Sequence, residues 1–459
     1  MIDLKGLATR KHIKDTVSRC GVCHARVPAS VVLEDGSVLM HKTCPTHGTQ
    51  RVVLARDARW YYPSTGAREA AVPAGDATSA GPATPATDPF EKLSTCIALI
   101  EIVDSCNLTC PTCYAESPYG VGKDLQYTPL ERVQERVEGV VQRKGFIDIL
   151  QLSGGEPTLH PQFEQLLRWA TSHPSIGYVL VNTNAVRTAG DERFRQMLAD
   201  IRRTNGRFEL YVQFDGVQET GQVELRGTDL RAVRERAIDS VGALGVPSTI
   251  AMVVDDRTLP GVGDTLRWAV ARRHVRGVCF QPVFTSGRVA PVESNTLPIF
   301  GGGATSAPAV APLTVGDVIQ ACASQAPELV SAADFTPLPC GDPNCHTIGY
   351  LLRTATGVVG MSSIINLPEL QAFLKDRVNY DIEDLVKCGC ESEPLGEIIK
   401  ALEISPDQPF RMFIKPFMDA WTFDQDRIDR CCTHVITPEG RLDSFCNYYL
   451  HGGRNRAHA

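Results

Sequence analysis

The chain has no apolar run approaching the roughly 20 residues that a membrane-spanning helix needs, which excludes an ordinary helical membrane protein. Its start, Met1–Lys14, is charged and lacks a continuous apolar stretch, so no secretory signal is expected. A formal net charge of −7 over 459 residues leaves no basic excess, and a nucleic-acid partner is not expected. Without a secretion signal, the 16 cysteines do not suggest a disulfide framework. Short-spaced thiols in a reducing cytoplasm read as metal ligands instead. The length suffices for two or three domains, and cysteine and histidine gather in three places that divide it.

The middle place is Cys106, Cys110 and Cys113, spaced C-x3-C-x2-C in the loop after the apolar run 97–103. Thiolates are the usual protein ligands of iron–sulfur cubanes, and one short loop at this spacing can wrap a [4Fe-4S] cluster. Three ligands leave one iron open for a substrate or cofactor. A zinc knuckle is the plainer alternative, but zinc wants four ligands, commonly two C-x2-C pairs. A lone triplet falls short of that.

The first place is Cys20-x2-Cys23 followed by Cys44-x2-His47. Two short knuckles about twenty residues apart predict a tetrahedral Cys3His set for one iron or zinc. Between them, Ala29 to Leu39 reads as a hairpin turning at Glu34-Asp35-Gly36. These features predict a rubredoxin-like or zinc-ribbon module over 1–63. Residues 64–92, rich in Ala, Pro, Thr and Gly without periodicity, read as a flexible linker.

Over 93–290 strand and helix alternate, with apolar runs at 97–103, 147–152, 177–182, 208–214, 247–254 and 277–283. Thr128-Pro129-Leu130-Glu131 predicts a capping box with proline at the first helical position. Leu130, Val133, Val137, Val140 and Val141 then keep to one helical face. Six strands with intervening helices predict an α/β fold around a parallel sheet. Reactive groups are expected at the carboxyl ends of such strands. The candidates there are Glu156, Asn182, Asn184, Gln213, Asp215 and Gln281, with Arg226 in the loop after the fourth strand.

The third place lies within 291–459 and holds Cys340, Cys345, Cys388, Cys390, Cys431, Cys432 and Cys446. These are seven thiols, whereas two fully ligated cubanes need four ligands each. Either one cluster keeps an open iron, or Cys322, His346 or His434 completes the set. Cys96, Cys279 and Cys322 read as ordinary buried thiols.

Cys106-Asn-Leu-Thr-Cys110-Pro-Thr-Cys113, followed by Ser153-Gly-Gly-Glu-Pro157, resembles the radical S-adenosylmethionine (radical SAM) superfamily. The resemblance implies an incomplete (β/α)6 barrel and a cluster whose open iron is chelated by SAM. It also implies reductive cleavage of SAM to methionine and a 5'-deoxyadenosyl radical. Gly154, Gly155, Glu156 and Pro157 would then meet the methionine amino group, with Glu156 accepting from its ammonium and Arg226 pairing with its carboxylate. One departure is Thr112, where the superfamily commonly has an aromatic residue near adenine; Tyr114 is the candidate in its place.

Further stretches look like one branch of that superfamily, which includes archaeal dihydropterin methylases and archaeal tetraether lipid synthases. They are Cys20-Gly-Val-Cys23, Phe280-Gln-Pro-Val283, Cys340-Gly-Asp-Pro-Asn-Cys345 and Ile414-Lys-Pro-Phe-Met-Asp-Ala-Trp-Thr-Phe-Asp424. The branch implies one or two auxiliary [4Fe-4S] clusters and an external electron donor such as ferredoxin or flavodoxin. It also implies carbon–carbon bond formation at unactivated carbon, where the C–H bond is too strong for side-chain acid–base work and a cofactor must carry the hard step. The simplest expectation is methylation of a small cytosolic, pterin-like heterocycle, with the 340–446 region capping the barrel mouth. A second reading is radical coupling of lipid chains through an apolar tunnel. A third, from another class, is a non-catalytic iron–sulfur electron carrier or scaffold.

Overall fold

A computed structural model describes residues 10–62, 95–288, 312–338, 340–364 and 408–453. The linker assigned to 64–92 and the thiols Cys388 and Cys390 lie outside the described residues. Four strands come first: β1 (Lys11–Arg19), β2 (Arg26–Glu34), β3 (Ser37–Cys44) and β4 (Gly48–Ala55). They pair antiparallel in chain order. Asp35 and Gly36, between β2 and β3, have φ of 48° and 78°, the left-handed pair that a two-residue hairpin turn requires. Val31, Val38 and Met40 pack against Tyr61 as a small core.

Six parallel strands follow, each beside its neighbour in sequence: β5 (Ile97–Val103), β6 (Ile147–Gly154), β7 (Ile176–Thr183), β8 (Phe208–Gln213), β9 (Ser248–Val254) and β10 (Val275–Pro282). Helices fill the crossovers: α1 (Leu130–Lys144), α2 (Phe163–Ser172), α3 (Val186–Gly190), α4 (Glu192–Thr204), α5 (Gln222–Arg226), α6 (Arg231–Ala243) and α7 (Val262–Val270). This is the α/β arrangement expected from the alternating pattern. In α1, Val133, Val137 and Val140 are buried on one face, each contributing about 1.5–3 kcal/mol relative to exposure. The capping box expected before it is absent. Pro129 is itself the cap, no side chain bonds the first turn, and Leu130 is the first helical residue.

The strands alternate between two environments, as a pleated backbone dictates. Ile100, Ile102, Leu150, Leu152, Val179, Val181, Leu210, Val212, Ile250, Met252, Val278 and Phe280 belong to the main core. Their alternates Gln151, Ser153, Asn182, Tyr211, Gln213, Val253 and Gln281 line a cavity. A barrel interior with this many amides and hydroxyls is a site as well as packing.

The later chain supplies α8 (Val315–Gln325), β11 (Phe335–Pro337), β12 (Thr347–Thr354), β13 (Gly357–Gly360), β14 (Pro409–Ile414), α9 (Gln425–Asp429), β15 (Thr433–Ile436), β16 (Leu442–Ser444) and α10 (Phe445–Leu450). It is built into the same sheet. β14 runs parallel beside β10, and β15 runs parallel beside β5, so the six-stranded arc is prolonged at both ends. Both additions carry cavity-lining groups, Lys415 and Phe417 after β14 and Thr433 on β15. Among the described residues, no helix is long and apolar enough to cross a membrane.

Candidate active site and metal centres

The loop carrying Cys106, Cys110 and Cys113 leaves β5 and is pinned by backbone bonds on several sides. Cys106 N–H donates to Pro118 at 2.9 Å, and Cys113 and Arg288 exchange bonds of 2.8 and 2.9 Å. The Arg288 guanidinium adds bonds to the Cys110 and Ser117 carbonyls at 3.0 and 2.9 Å. From below, Gly155 N–H donates to Val103 at 2.7 Å and Glu156 N–H to Ser105 at 3.1 Å. Both glycines are sterically required: a Cβ on Gly154 or Gly155 would lie 2.0 Å from the carbonyl oxygen of Val103 or Ser105.

The three thiols face one cavity and form no disulfide. Burial, and then the Glu156 charge, pushes Cys106 up to about 12, while burial also raises Cys110. A buried thiol such as Cys106 ionises readily only beside compensating positive charge, which a metal supplies. Three free thiols on one short loop and one cavity are a donor set that fits a cluster with three protein ligands.

The other expected site residues separate into two groups. Gly154, Gly155, Asn182, Asn184, Gln213, Arg226 and Gln281 line the cavity. Glu156, Pro157 and Asp215 stand behind its wall. Glu156 is only 1% exposed. Its carboxylate accepts from Thr158 N–H and Oγ1 at 3.2 and 2.6 Å, from Thr183 Oγ1 at 2.9 Å and from Asn184 N–H at 2.7 Å. It therefore braces the ends of β6 and β7, leaving Gly154 and Gly155 at the cavity surface. Pro157 opens a short 3-10 turn and is buried.

Asp215 is also engaged. It takes Nε and Nη2 of Arg226 at 2.7 and 2.9 Å and Nη1 of Arg234 at 3.4 Å. Arg226 also reaches the Thr112 carbonyl at 3.4 Å and carries its charge to Cys110 and Cys113. Arg234 donates to Gln213 at 3.1 Å. Asn184 donates to Asn107 at 2.7 Å and lies 3.7 Å from the Cys106 sulfur.

Several cavity residues were not among the expected site residues: Gln151, Tyr211, Lys415 and, Tyr114 apart, an aromatic wall. Gln151 Nε2 donates to Asn182 at 2.6 Å, Asn182 Nδ2 to Ser153 at 3.0 Å, and Gln281 Nε2 to Tyr211 at 3.1 Å. Tyr114 packs among Phe284, Phe445 and Tyr449, its hydroxyl 3.4 Å from Ser153. Phe417 stacks on Phe445 with ring centres 4.2 Å apart. The period-two alternation inside β6 and β8 is the signal that would have revealed Gln151 and Tyr211.

Among the described residues, two metal-type groupings stand outside the triplet. Cys20, Cys23, Cys44 and His47 bring their ligand atoms within 4.8 Å of one another. Val22 N–H and the Gln50 amide donate to the Cys20 sulfur at 3.4 and 3.3 Å, bonds that support a thiolate ligand. A second grouping includes Cys96, which is buried as expected but sits beside two expected ligands. It converges with Cys340 and Cys432 within 4.8 Å, because β15, carrying the residue after Cys432, pairs with the start of β5. His346 is the neighbouring imidazole, its Nδ1 3.9 Å from the Cys432 sulfur. His434 instead bonds Thr95 at 3.1 Å, and Cys322 sits in the main apolar core. Cys345, Cys431 and Cys446, also expected as ligands, do not bring their sulfurs within 4.8 Å of one another.

Comparison with known proteins follows this layout. Residues 12–56 match the family described as the HMPTM N-terminal zinc ribbon domain, and residues 100–269 match the Radical SAM superfamily. The 7,8-dihydro-6-hydroxymethylpterin dimethyltransferase of Methanocaldococcus jannaschii is 26% identical, over 95% of this chain and 93% of that protein. Mycofactocin maturase MftC of Mycobacterium ulcerans is 28% identical, over 43% of this chain and 50% of that protein. Streptococcus suis SuiB bound to S-adenosylmethionine superposes with a TM-score of 0.34 and 13% identity, over 44% of this chain and 42% of that one.

Proposed function

We propose that this enzyme, whose chain carries a radical SAM domain behind an N-terminal zinc ribbon, forms a carbon–carbon bond by methylating a small pterin-like heterocycle. The observation that carries the reading is the similarity to a pterin dimethyltransferase across 95% of the chain. It spans the ribbon, the barrel and the cysteine-rich remainder together. Cavity chemistry supports it as well. Joining lipid chains calls for an apolar tunnel, whereas this barrel presents Gln151, Asn182, Tyr211 and Gln281.

Cys106, Cys110 and Cys113 would hold the cluster, and Gly154, Gly155 and Arg226 would meet SAM beside it. When bound, the cluster and SAM supply a 5'-deoxyadenosyl radical able to take hydrogen from an unactivated carbon. The protein's part is to fix the target carbon in the cavity and exclude water. Arg226, held by Asp215, keeps a positive charge against the thiolates. The aromatic wall of Tyr114, Phe284, Phe417 and Phe445 suits a flat ring.

The ribbon set Cys20, Cys23, Cys44 and His47 suits zinc, with ribbon docking as its role. The set Cys96-Cys340-Cys432 would hold one auxiliary cluster, and Cys345, Cys431 and Cys446 are proposed for a second. A reduced ferredoxin or flavodoxin of the cytoplasm is the fitting electron source.

The test is anaerobic incubation of iron-reconstituted protein with SAM, reductant, a one-carbon donor and 7,8-dihydro-6-hydroxymethylpterin. The expected result is 5'-deoxyadenosine together with a pterin heavier by a methylene unit. SAM cleavage that leaves every pterin mass unchanged, under each of several one-carbon donors, would reject the substrate class.

A further inference from the structure

We infer that the barrel floor is a recognition site for a flat heterocycle with an amidine–lactam edge, and that Lys415 is the residue that reads its ring carbonyl. This rests on the function proposed above and extends it to particular atoms.

The floor is built from side chains that each retain one unused function. Gln151 and Gln281 both donate through Nε2, to Asn182 and Tyr211. Neither amide oxygen accepts a hydrogen bond among the described residues. Both residues line the cavity, so their oxygens are available to ring N–H and amino donors. A ligand bearing N–H groups would pair with both oxygens without breaking a hydrogen bond of the protein.

Lys415 supplies the opposite function. Its backbone N–H donates to Phe280 at 2.9 Å, which fixes it at the end of β14 beside β10. Its ammonium forms no hydrogen bond or ion pair among the described residues, although it lines the cavity. The other two cavity cations are engaged, Arg226 with Asp215 and Arg288 with the Cys110 and Ser117 carbonyls. β14 pairs with β10, with Ile414 opposite Phe280, which places Lys415 beside Gln281 at the cavity. Two acceptors and one charged donor facing a single aromatic-walled cavity complement an edge of amine, ring N–H and carbonyl. A lipid chain or a simple aromatic ring would leave all three unsatisfied.

The discriminating experiment is equilibrium dialysis of the reconstituted full-length protein with two probes. One is 6-hydroxymethylpterin; the other is its 2,4-diamino analogue, in which an amine replaces the ring carbonyl. The unaltered protein should prefer the pterin by about tenfold or more, the scale of one hydrogen bond to a charged group. Lys415→Met and Lys415→Gln should each bind the two probes within about threefold of one another, while Lys415→Arg should keep the preference. Retention of the preference in both neutral variants would overturn the role of Lys415. Failure of the unaltered protein to bind either probe would overturn the pterin reading itself, a separate outcome.

Discussion

Cys340 and Cys432 are 92 positions apart in sequence, yet their sulfurs approach to 3.3 Å. Cys96, from the segment just before β5, completes the trio. Cys340 lies between β11 and β12, at the opposite end of the strand order from β5 and β15, so the trio joins the two ends of the arc. Such a grouping either holds a metal or stacks three buried thiols for nothing.

Cys96→Ser is accordingly expected to remove about one cluster's worth of iron and sulfide from the reconstituted protein. Some 5'-deoxyadenosine release should survive, because Cys106, Cys110 and Cys113 are untouched. Iron and sulfide analysis alongside chromatography of the nucleoside checks both. Full iron content in the variant would return Cys96 to the role of a core residue.

Gly155→Ala places a methyl 2.0 Å from the Ser105 carbonyl oxygen. Backbone on both sides leaves no flexible side chain to give way. The loop holding the triplet must shift, at a cost of about 2 kcal/mol or more. Loss of SAM binding, measured by dialysis, should accompany the lower denaturation midpoint. Unchanged SAM binding would mean that the β6 end does not position the loop.

Much of this layout was legible in the sequence, for identifiable reasons. The six barrel strands are runs of Ile, Val and Leu separated by amphipathic helices, so each element carries its own signal. The triplet and the ribbon knuckles are short-range patterns, readable without the fold. Cys96 was not legible, since its partners lie far along the chain and a single thiol has no spacing to read. Gln151 and Tyr211 were hidden for a different reason. They sit inside strands treated as apolar runs, where only alternation with Leu150, Leu152, Leu210 and Val212 marks them as inward-facing. Glu156 carried a motif, but its carboxylate turned inward to Thr158, Thr183 and Asn184, which spacing does not foretell. The placement of β14 and β15 at opposite ends of the arc also left no local trace.

Asp215 lies fully buried between Arg226 and Arg234. Burial pushes its carboxyl up, but the two guanidinium charges outweigh burial and leave it below the ordinary range. A folded-state value below the unfolded one means stability that is present above about pH 4. It is lost only as pH falls further, through the depressed value. Asp215→Asn should therefore lower stability by about 3–5 kcal/mol at neutral pH, by leaving two buried cations unpaired. Denaturant titrations should show the gap from the unaltered protein narrowing as the pH drops beneath the carboxylate range. A gap that widens there would contradict the pairing.

The ribbon is docked by Lys42, whose ammonium donates to the Ala420 and Trp421 carbonyls at 2.8 and 2.6 Å. Lys42→Met should orphan both carbonyls and cost about 1–3 kcal/mol. Limited proteolysis should then cut near residue 420 faster than in the unaltered protein. Equal cutting rates would show that the ribbon is held by other contacts, such as Lys14 with Asp424 at 2.7 Å.

The most direct measurement is 5'-deoxyadenosine release under anaerobic reduction by Cys106→Ala, Cys110→Ala and Cys113→Ala, each after iron reconstitution. All three should fall to the background of cluster-free protein while keeping the folded circular dichroism signal. Turnover persisting in any one of them would mean that SAM is not cleaved at this loop.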